Sequence, residues 1–242
     1  NMSVGSRQHF RESTMTETST EAEKPAVKRG LGELKQQAYE QVEDLLNLGL
    51  LRPGEVISQR ELVERTGSTL GSIREAVMRL EAEGLLIPLP KRGLMVPSLD
   101  IDFVYDAYQL RRIIELAAVP DMIAKLDDDT IAHFLAEQNA FAKEVPADGV
   151  ASDDLLDRVQ HADWEMHSTF VACMGNRLID NTYRITAIKI RMAVQYRIKV
   201  TGENVLRVIG EHKAFLEPLA ARDAKATAAA LGRHIDVSMT LA

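Results

Sequence analysis

Residues 58–96 constrain this chain more than any other segment. Ser58 with Glu61 three residues on is a capping box, in which the hydroxyl takes an orphan helix N–H and the carboxylate reaches back. Leu62 and Val63 give that short helix its apolar face. Gly67 stops it, because the residue just past a helix often needs a positive φ. Ser68 or Thr69 caps a second helix. On it, Ile73, Ala76, Val77 and Leu80 recur at i, i+3, i+4 and i+7, so they share one face. Gly84 ends this helix. Residues 85–87 and 94–96 read as two short strands, and Pro88, Pro90 and Gly93 bracket a turn carrying Lys91 and Arg92. Helix, tight turn, second helix and basic hairpin is the order of a winged helix-turn-helix. The second helix of that motif enters a DNA major groove N-terminus first.

Thr69, Ser72 and Arg74 fall in the first turn of the second helix, off its apolar face, and Arg60 on the preceding helix is within reach of a phosphate or a base edge. Arginine is the side chain best shaped for bidentate contact with guanine. Lys91 and Arg92 in the hairpin suit phosphates or the minor groove. A helix-turn-helix also serves as a protein-docking module, but the basic wing behind this one favours DNA. The charge is uneven: residues 28–97 hold ten basic and ten acidic side chains, whereas residues 98–242 hold 16 and 22. The C-terminal part is therefore repelled by DNA. Only Arg60, Arg65, Arg74, Lys91 and Arg92 cluster as a phosphate-facing surface.

The string IREAVMRLEAEGLL followed by KRG resembles the GntR family of bacterial transcription regulators, over about residues 30–97. The resemblance implies DNA contacts from Arg60, Thr69, Ser72, Arg74 and Gly93, with Arg92 beside them. One departure stands out. The family usually has an arginine just after the Ser or Thr that opens the recognition helix, and here that place is Leu70. Gly71 likewise replaces a common Pro or Thr, so the base-reading pattern is only partly present.

Residues 1–27 are rich in Ser, Thr and Glu and read as a disordered tail. A winged helix-turn-helix domain is expected over 28–97, beginning with a helix from about Gly32 to Leu48. Residues 98–242 are expected to be an all-α antiparallel bundle, so the fold class is mainly α. Six helical patterns are expected near 101–126, 129–145, 153–174, 177–199, 203–221 and 223–241, with Pro120 kinking the first. No apolar run reaches the roughly 18–20 residues of a membrane span, and the N-terminus lacks the apolar core of a signal peptide. The single cysteine, Cys173, makes no intramolecular disulfide and reads as inert core. These features suit a cytoplasmic protein without a membrane partner.

In HADWEMHSTF, Asp163 and His167 stand four apart and point the same way on one helix. His212 and His234 lie on the last two helices, each flanked by apolar residues at helical spacing. Three histidines and one aspartate converging in a bundle suit a divalent metal such as Zn, Ni, Fe or Mn rather than Ca. Equally, each histidine alone reads as a hydrogen-bonded core residue, and spacing does not bring three helices to one point. The pieces LRRIIELAA, DWEMHSTFVACMGN and EHKAFLEPLAARDAKATAAALGRHI resemble the FCD ligand-binding domain that follows many GntR-type DNA readers. That resemblance implies a divalent metal at Asp163, His167, His212 and His234. Six helices rather than seven point within the FadR subfamily to the shorter, VanR-like branch. Four protein ligands leave one or two positions for a small carboxylate, and Arg111 is a candidate second anchor for it. Arg111 is equally placed to pair with Glu115 at i+4. Trp164 and Phe170 read as core or dimer packing, and His9, His133 and His161 receive no role.

The expectation is a non-enzymatic, ligand-responsive regulator, with no catalytic residues. It would act as a homodimeric repressor on a palindromic double-stranded operator and be controlled by a small organic acid at the metal. Two rivals stand beside it: a metal-dependent enzyme acting on a small acid, and a sensor of the metal ion itself.

Overall fold

The computed structural model describes residues 30–98, 100–194 and 200–241. The expected tail, His9 and the end of the helical pattern at 195–199 lie outside them. The N-terminal part runs α1 (Leu31–Asn47), β1 (Val56–Ile57), α2 (Gln59–Thr66), α3 (Leu70–Ala82), β2 (Ile87–Leu89) and β3 (Gly93–Met95). The capping box is present in full. Glu61 N–H donates to Ser58 Oγ at 3.2 Å, and Ser58 N–H donates to Glu61 Oε2 at 2.8 Å. Gly67 closes α2 in the left-handed region at φ 69°, and Thr69 caps α3 by accepting from Ser72 N–H.

The wing departs from the expected strands. Leu85 and Leu86 are not paired in a strand but are buried plugs beneath α3, and the hairpin starts two residues later, at Ile87. The sheet has the order β1-β3-β2, and Val56–Ile57 is a strand that the periodicity did not reveal because it is two residues long. Pro88 sits in β2, an edge strand, where its missing N–H costs least. Gly93 has φ 109°, and a Cβ there would lie 2.7 Å from the Ile57 carbonyl oxygen. Glycine is what lets β3 approach β1 so closely.

The remainder is helical: α4 (Ile101–Lys125), α5 (Asp128–Glu144), α6 (Asp153–Ala172), α7 (Arg177–Val194), α8 (Val205–Ala220) and α9 (Ala224–Leu241). Asp100, Asp127 and Ser152 cap α4, α5 and α6 through their side chains. α4 continues through Pro120 as one element. The ring faces solvent there, so the carbonyl it leaves without a helical partner is on the wet side. α8 packs on α5 and α9, and α4 on α6, α7 and α9. Their core is built on Met122, Phe134, Phe170, Phe215, Leu216, Leu219, Leu231 and Ile235.

α7 belongs to both parts. Ile188 and Met192, each fully buried, join the cluster of Ala38, Val42, Leu46, Leu62, Ile73, Val77 and Leu80 from α1, α2 and α3. Beside them the Arg184 guanidinium donates to Tyr39 Oη at 2.6 Å, Glu43 Oε1 at 2.9 Å and Glu83 Oε1 at 3.1 Å. The N-terminal core is thus completed by a helix from the bundle. Ile188→Ala is expected to destabilise the protein by about 2–5 kcal/mol through the cavity it leaves. Urea unfolding checks this, and a loss within measurement error would mean that α7 is not part of that core.

Candidate metal centre and DNA-reading surface

Three helices bring the acidic residue and the histidines together. α6 supplies Asp163 and His167 one turn apart, α8 supplies His212, and α9 supplies His234. One ligand atom from each lies within 4.8 Å of the others. This span is close to twice a metal–ligand bond of roughly 2.0–2.2 Å. The Nε2 atoms of His167 and His212 lie 3.5 and 3.0 Å from Asp163 Oδ1. Both are buried and neither makes an aligned hydrogen bond. Nitrogens left this way are what a divalent cation satisfies, so the donor set fits one.

The opposite edge of each ring is held. Nδ1–H of His167 donates to Glu115 Oε2 at 2.7 Å, that of His212 to Gln138 Oε1 at 3.1 Å, and that of His234 to Glu211 Oε2 at 2.9 Å. Such outer partners fix the tautomer and aim Nε2 inward. Burial pushes the Glu115 carboxyl up, but Arg111, His167 and Tyr183 together outweigh it and hold it at about 2. Burial likewise raises Asp163, and its closeness to His167 and His212 more than reverses this, keeping it well below the usual carboxylate range. Burial pulls His212 down and takes His234 to about 4, so both present neutral rings at neutral pH. His167 is pulled down by burial but raised further by Glu115 and Asp163. A cation at the cluster competes with that proton.

A cavity of about 490 Å³ opens beside the cluster, bounded by Asp163, His167 and His234. That volume lies within the roughly 300–1,000 Å³ of small-ligand sites. Arg111 lines it and pairs with Glu115 at 2.6 Å, the alternative that the i+4 spacing offers. Of the two readings of Trp164, core or dimer packing, the structure corrects the first. Trp164 is half-buried on the cavity wall, with the Arg191 guanidinium 4.6 Å above its ring, whereas Phe170 is core. His161 lies at the cavity edge against Trp164, outside the cluster. Asn47, Leu48, Gly49 and Arg52, the end of α1 and the turn after it, also line the cavity.

On the reading surface, Arg60, Arg74 and Arg92 are exposed, as are Leu70 and Gly71 at the tip of α3. Ser72 is a correction: it is 7% exposed, and its Oγ accepts from the Thr69 hydroxyl at 3.0 Å. It stands one turn before Ala76, at the edge of the apolar stripe, so it builds the helix start rather than facing outward. Thr69 is exposed but serves as the cap. Arg65 also leaves the phosphate-facing group, because it donates to Leu50 O and pairs with Glu55 at 2.8 Å. Gly93 acts through backbone geometry.

Sequence reasoning passed over Gln138, Glu211, Tyr183 and Arg191. Glu211 directly precedes His212, and that adjacency was a usable signal. Gln138 sits between Glu137 and Asn139 and Tyr183 between Thr182 and Arg184, so neither stands out from its polar neighbours, and Arg191 shares its stretch with Lys189, Arg197 and Lys199.

A family model described as FCD domain matches residues 106–237, and one described as bacterial regulatory proteins, gntR family, matches residues 34–96. The chain is similar to the Nta operon transcriptional regulator of Aminobacter aminovorans, 29% identical over 145 residues, 59% of this chain and 64% of that protein. The uncharacterized HTH-type transcriptional regulator YdhC of Bacillus subtilis is 27% identical over 60% of this chain and 62% of its own length. The chain thus spans under two thirds of these two relatives. The HTH-type transcriptional repressor GlaR of Escherichia coli is 25% identical over 77% of this chain and 86% of that protein. Among solved structures, E. coli McbR/YncC superposes with a TM-score of 0.69 at 18% identity, covering 86% of this chain and 95% of that one. A GntR-type putative regulator from Rhodococcus sp. RHA1 gives the same TM-score of 0.69 and 18% identity, over 86% and 96% of the two chains. These two likenesses establish the fold.

If the cluster holds zinc, metal at 100 times its Kd adds about 2.7 kcal/mol of stability. Stripping it is then expected to lower the melting temperature by roughly 5–10 °C. His212→Ala is expected to abolish that difference. Calorimetry with and without chelator checks this, and an unchanged melting temperature in the parent protein would mean no metal is held.

Proposed function

Because the chain belongs to the FCD domain family and carries a gntR-family regulator segment ahead of that domain, it stands among transcription regulators rather than enzymes, and we propose that it is a DNA-binding repressor switched by a small organic acid. Its reader is residues 28–97 and its sensor residues 98–242, with a homodimer presenting two readers to a palindromic operator. The proposed setting is the cytoplasm; no described helix is long and apolar enough to cross a membrane. The repressor sense follows the name of one relative, the E. coli repressor GlaR.

The observation that carries the reading is the cavity itself, which has the Asp163–His cluster on one side and the end of α1 on another. When bound, a divalent ion of the Zn, Ni, Fe or Mn type supplies positive charge that takes an anionic oxygen. Asp163, His167, His212 and His234 hold it, while Glu115, Gln138 and Glu211 keep the three imidazoles aimed. Arg111, neutralised by Glu115, adds donors at the cavity wall. A ligand here touches the segment that leads from α1 into α2, so occupancy biases how the reader sits. Coupling of about 1–3 kcal/mol changes DNA affinity some 5–150-fold.

DNA contact rests on the exposed Arg60, Arg74 and Arg92, with Thr69 at the start of the recognition helix. Arg74→Ala is expected to weaken binding to an operator selected from random DNA by about 1–3 kcal/mol, as read by fluorescence anisotropy across a salt series. If Arg74 meets a phosphate, the salt slope also falls by about 1. Unchanged affinity with an unchanged slope would rule out this docking mode.

A further inference from the structure

Among the described residues four arginines line the cavity, and they differ in what they are already doing. Arg111 is committed to Glu115 at 2.6 Å and Arg207 to Glu211 at 2.6 Å. Arg52 is exposed, where water already solvates its charge and an added anion gains little. Arg191 is different. It is partly buried, and its partners among the described residues are a neutral amide, Asn47 Oδ1 at 2.8 Å from Nε, and the face of Trp164. Burial takes its guanidinium down to about 10. Among the described residues no carboxylate hydrogen-bonds to it, and Glu43 and Asp163 act on it only through charge. A sequestered cation so placed is poised to gain from an incoming anion, and its remaining N–H groups form a carboxylate-matching fork.

Its position adds a second consequence. Arg191 lies on α7, the helix whose Ile188 and Met192 complete the core of the reader. Asn47 is the last residue of α1, and α1 forms much of that core. The wall also includes the apolar Ala187, Ile190 and Val208, so the cavity lining combines charged and apolar groups.

We propose that Arg191 is a second anion receptor of this cavity: it takes the far carboxylate of a dicarboxylate whose near carboxylate meets the Asp163–His167–His212–His234 cluster, and so shares one guanidinium between the ligand and the end of α1. The assignment rests on the cluster's reading as a metal centre. It makes the effector class dianionic and makes the Arg191–Asn47 bond the link from ligand to reader.

Succinate and butyrate, which share four carbons and differ in the second carboxylate, separate the possibilities on the zinc-loaded full chain. Calorimetry is expected to show succinate binding at least tenfold tighter than butyrate. In Arg191→Gln that preference is expected to fall to within twofold with zinc content unchanged, and in Arg191→Lys part of it returns. Asn47→Ala is expected to bind succinate still, while its affinity for selected operator DNA no longer responds to it. Equal binding of the two acids by the parent protein, or a preference kept in Arg191→Gln, overturns the Arg191 assignment alone. An operator response kept in Asn47→Ala overturns the link. Uptake of neither acid by zinc-loaded protein that still binds DNA overturns the effector cavity itself, and this proposal with it.

Discussion

The helical bundle is organised around one carboxylate. Glu115 has no accessible surface. An ion so placed costs several kcal/mol unless partners surround it, and three different elements supply them. Arg111 pairs with it one turn back on α4, His167 donates from α6 at 2.7 Å, and the Tyr183 hydroxyl donates from α7 at 2.7 Å. Each partner has a further task. Arg111 faces the cavity, His167 aims Nε2 into the cluster, and Tyr183 anchors the helix that also completes the core of the reader. Burying Glu115 therefore fixes the relative positions of His167, cavity wall and inter-part helix at once.

From that arrangement follows the location of the cavity, at the junction between bundle and reader rather than inside the bundle alone. It is lined both by Asp163, His167 and His234 of the cluster and by the end of α1. A ligand needs no long relay to be felt by the DNA-reading part, because α1 and α7 already share a hydrophobic core and the Arg184 hydrogen bonds with Tyr39, Glu43 and Glu83. Interfaces packed this densely respond to small displacements by repacking rather than bending.

Much of this was legible in the sequence because it is local. The capping box at Ser58, the left-handed Gly67, the Thr69 cap and the apolar periodicity of α3 are each set within a few residues. The six helices of the second half follow from periodicity and polar breaks. The four cluster residues are singled out as candidate ligands only through the family resemblance, since spacing alone does not join three helices at a point. What stayed hidden depends on contacts distant in sequence. Ser72 looked outward by helical phase, but the cap above it turns its hydroxyl into the helix start. Trp164 reads in the sequence as core or dimer packing and Arg191 carries no signal, and it is the packing of α6 on α7 that makes them one wall.

The account stands on the Asp163–His167–His212–His234 cluster acting as a metal centre with ordered imidazoles. X-ray absorption on the zinc-loaded full chain tests this directly. Three imidazole nitrogens at about 2.0–2.1 Å and a carboxylate oxygen at about 2.0–2.2 Å are predicted. A spectrum with fewer than three imidazoles would contradict it.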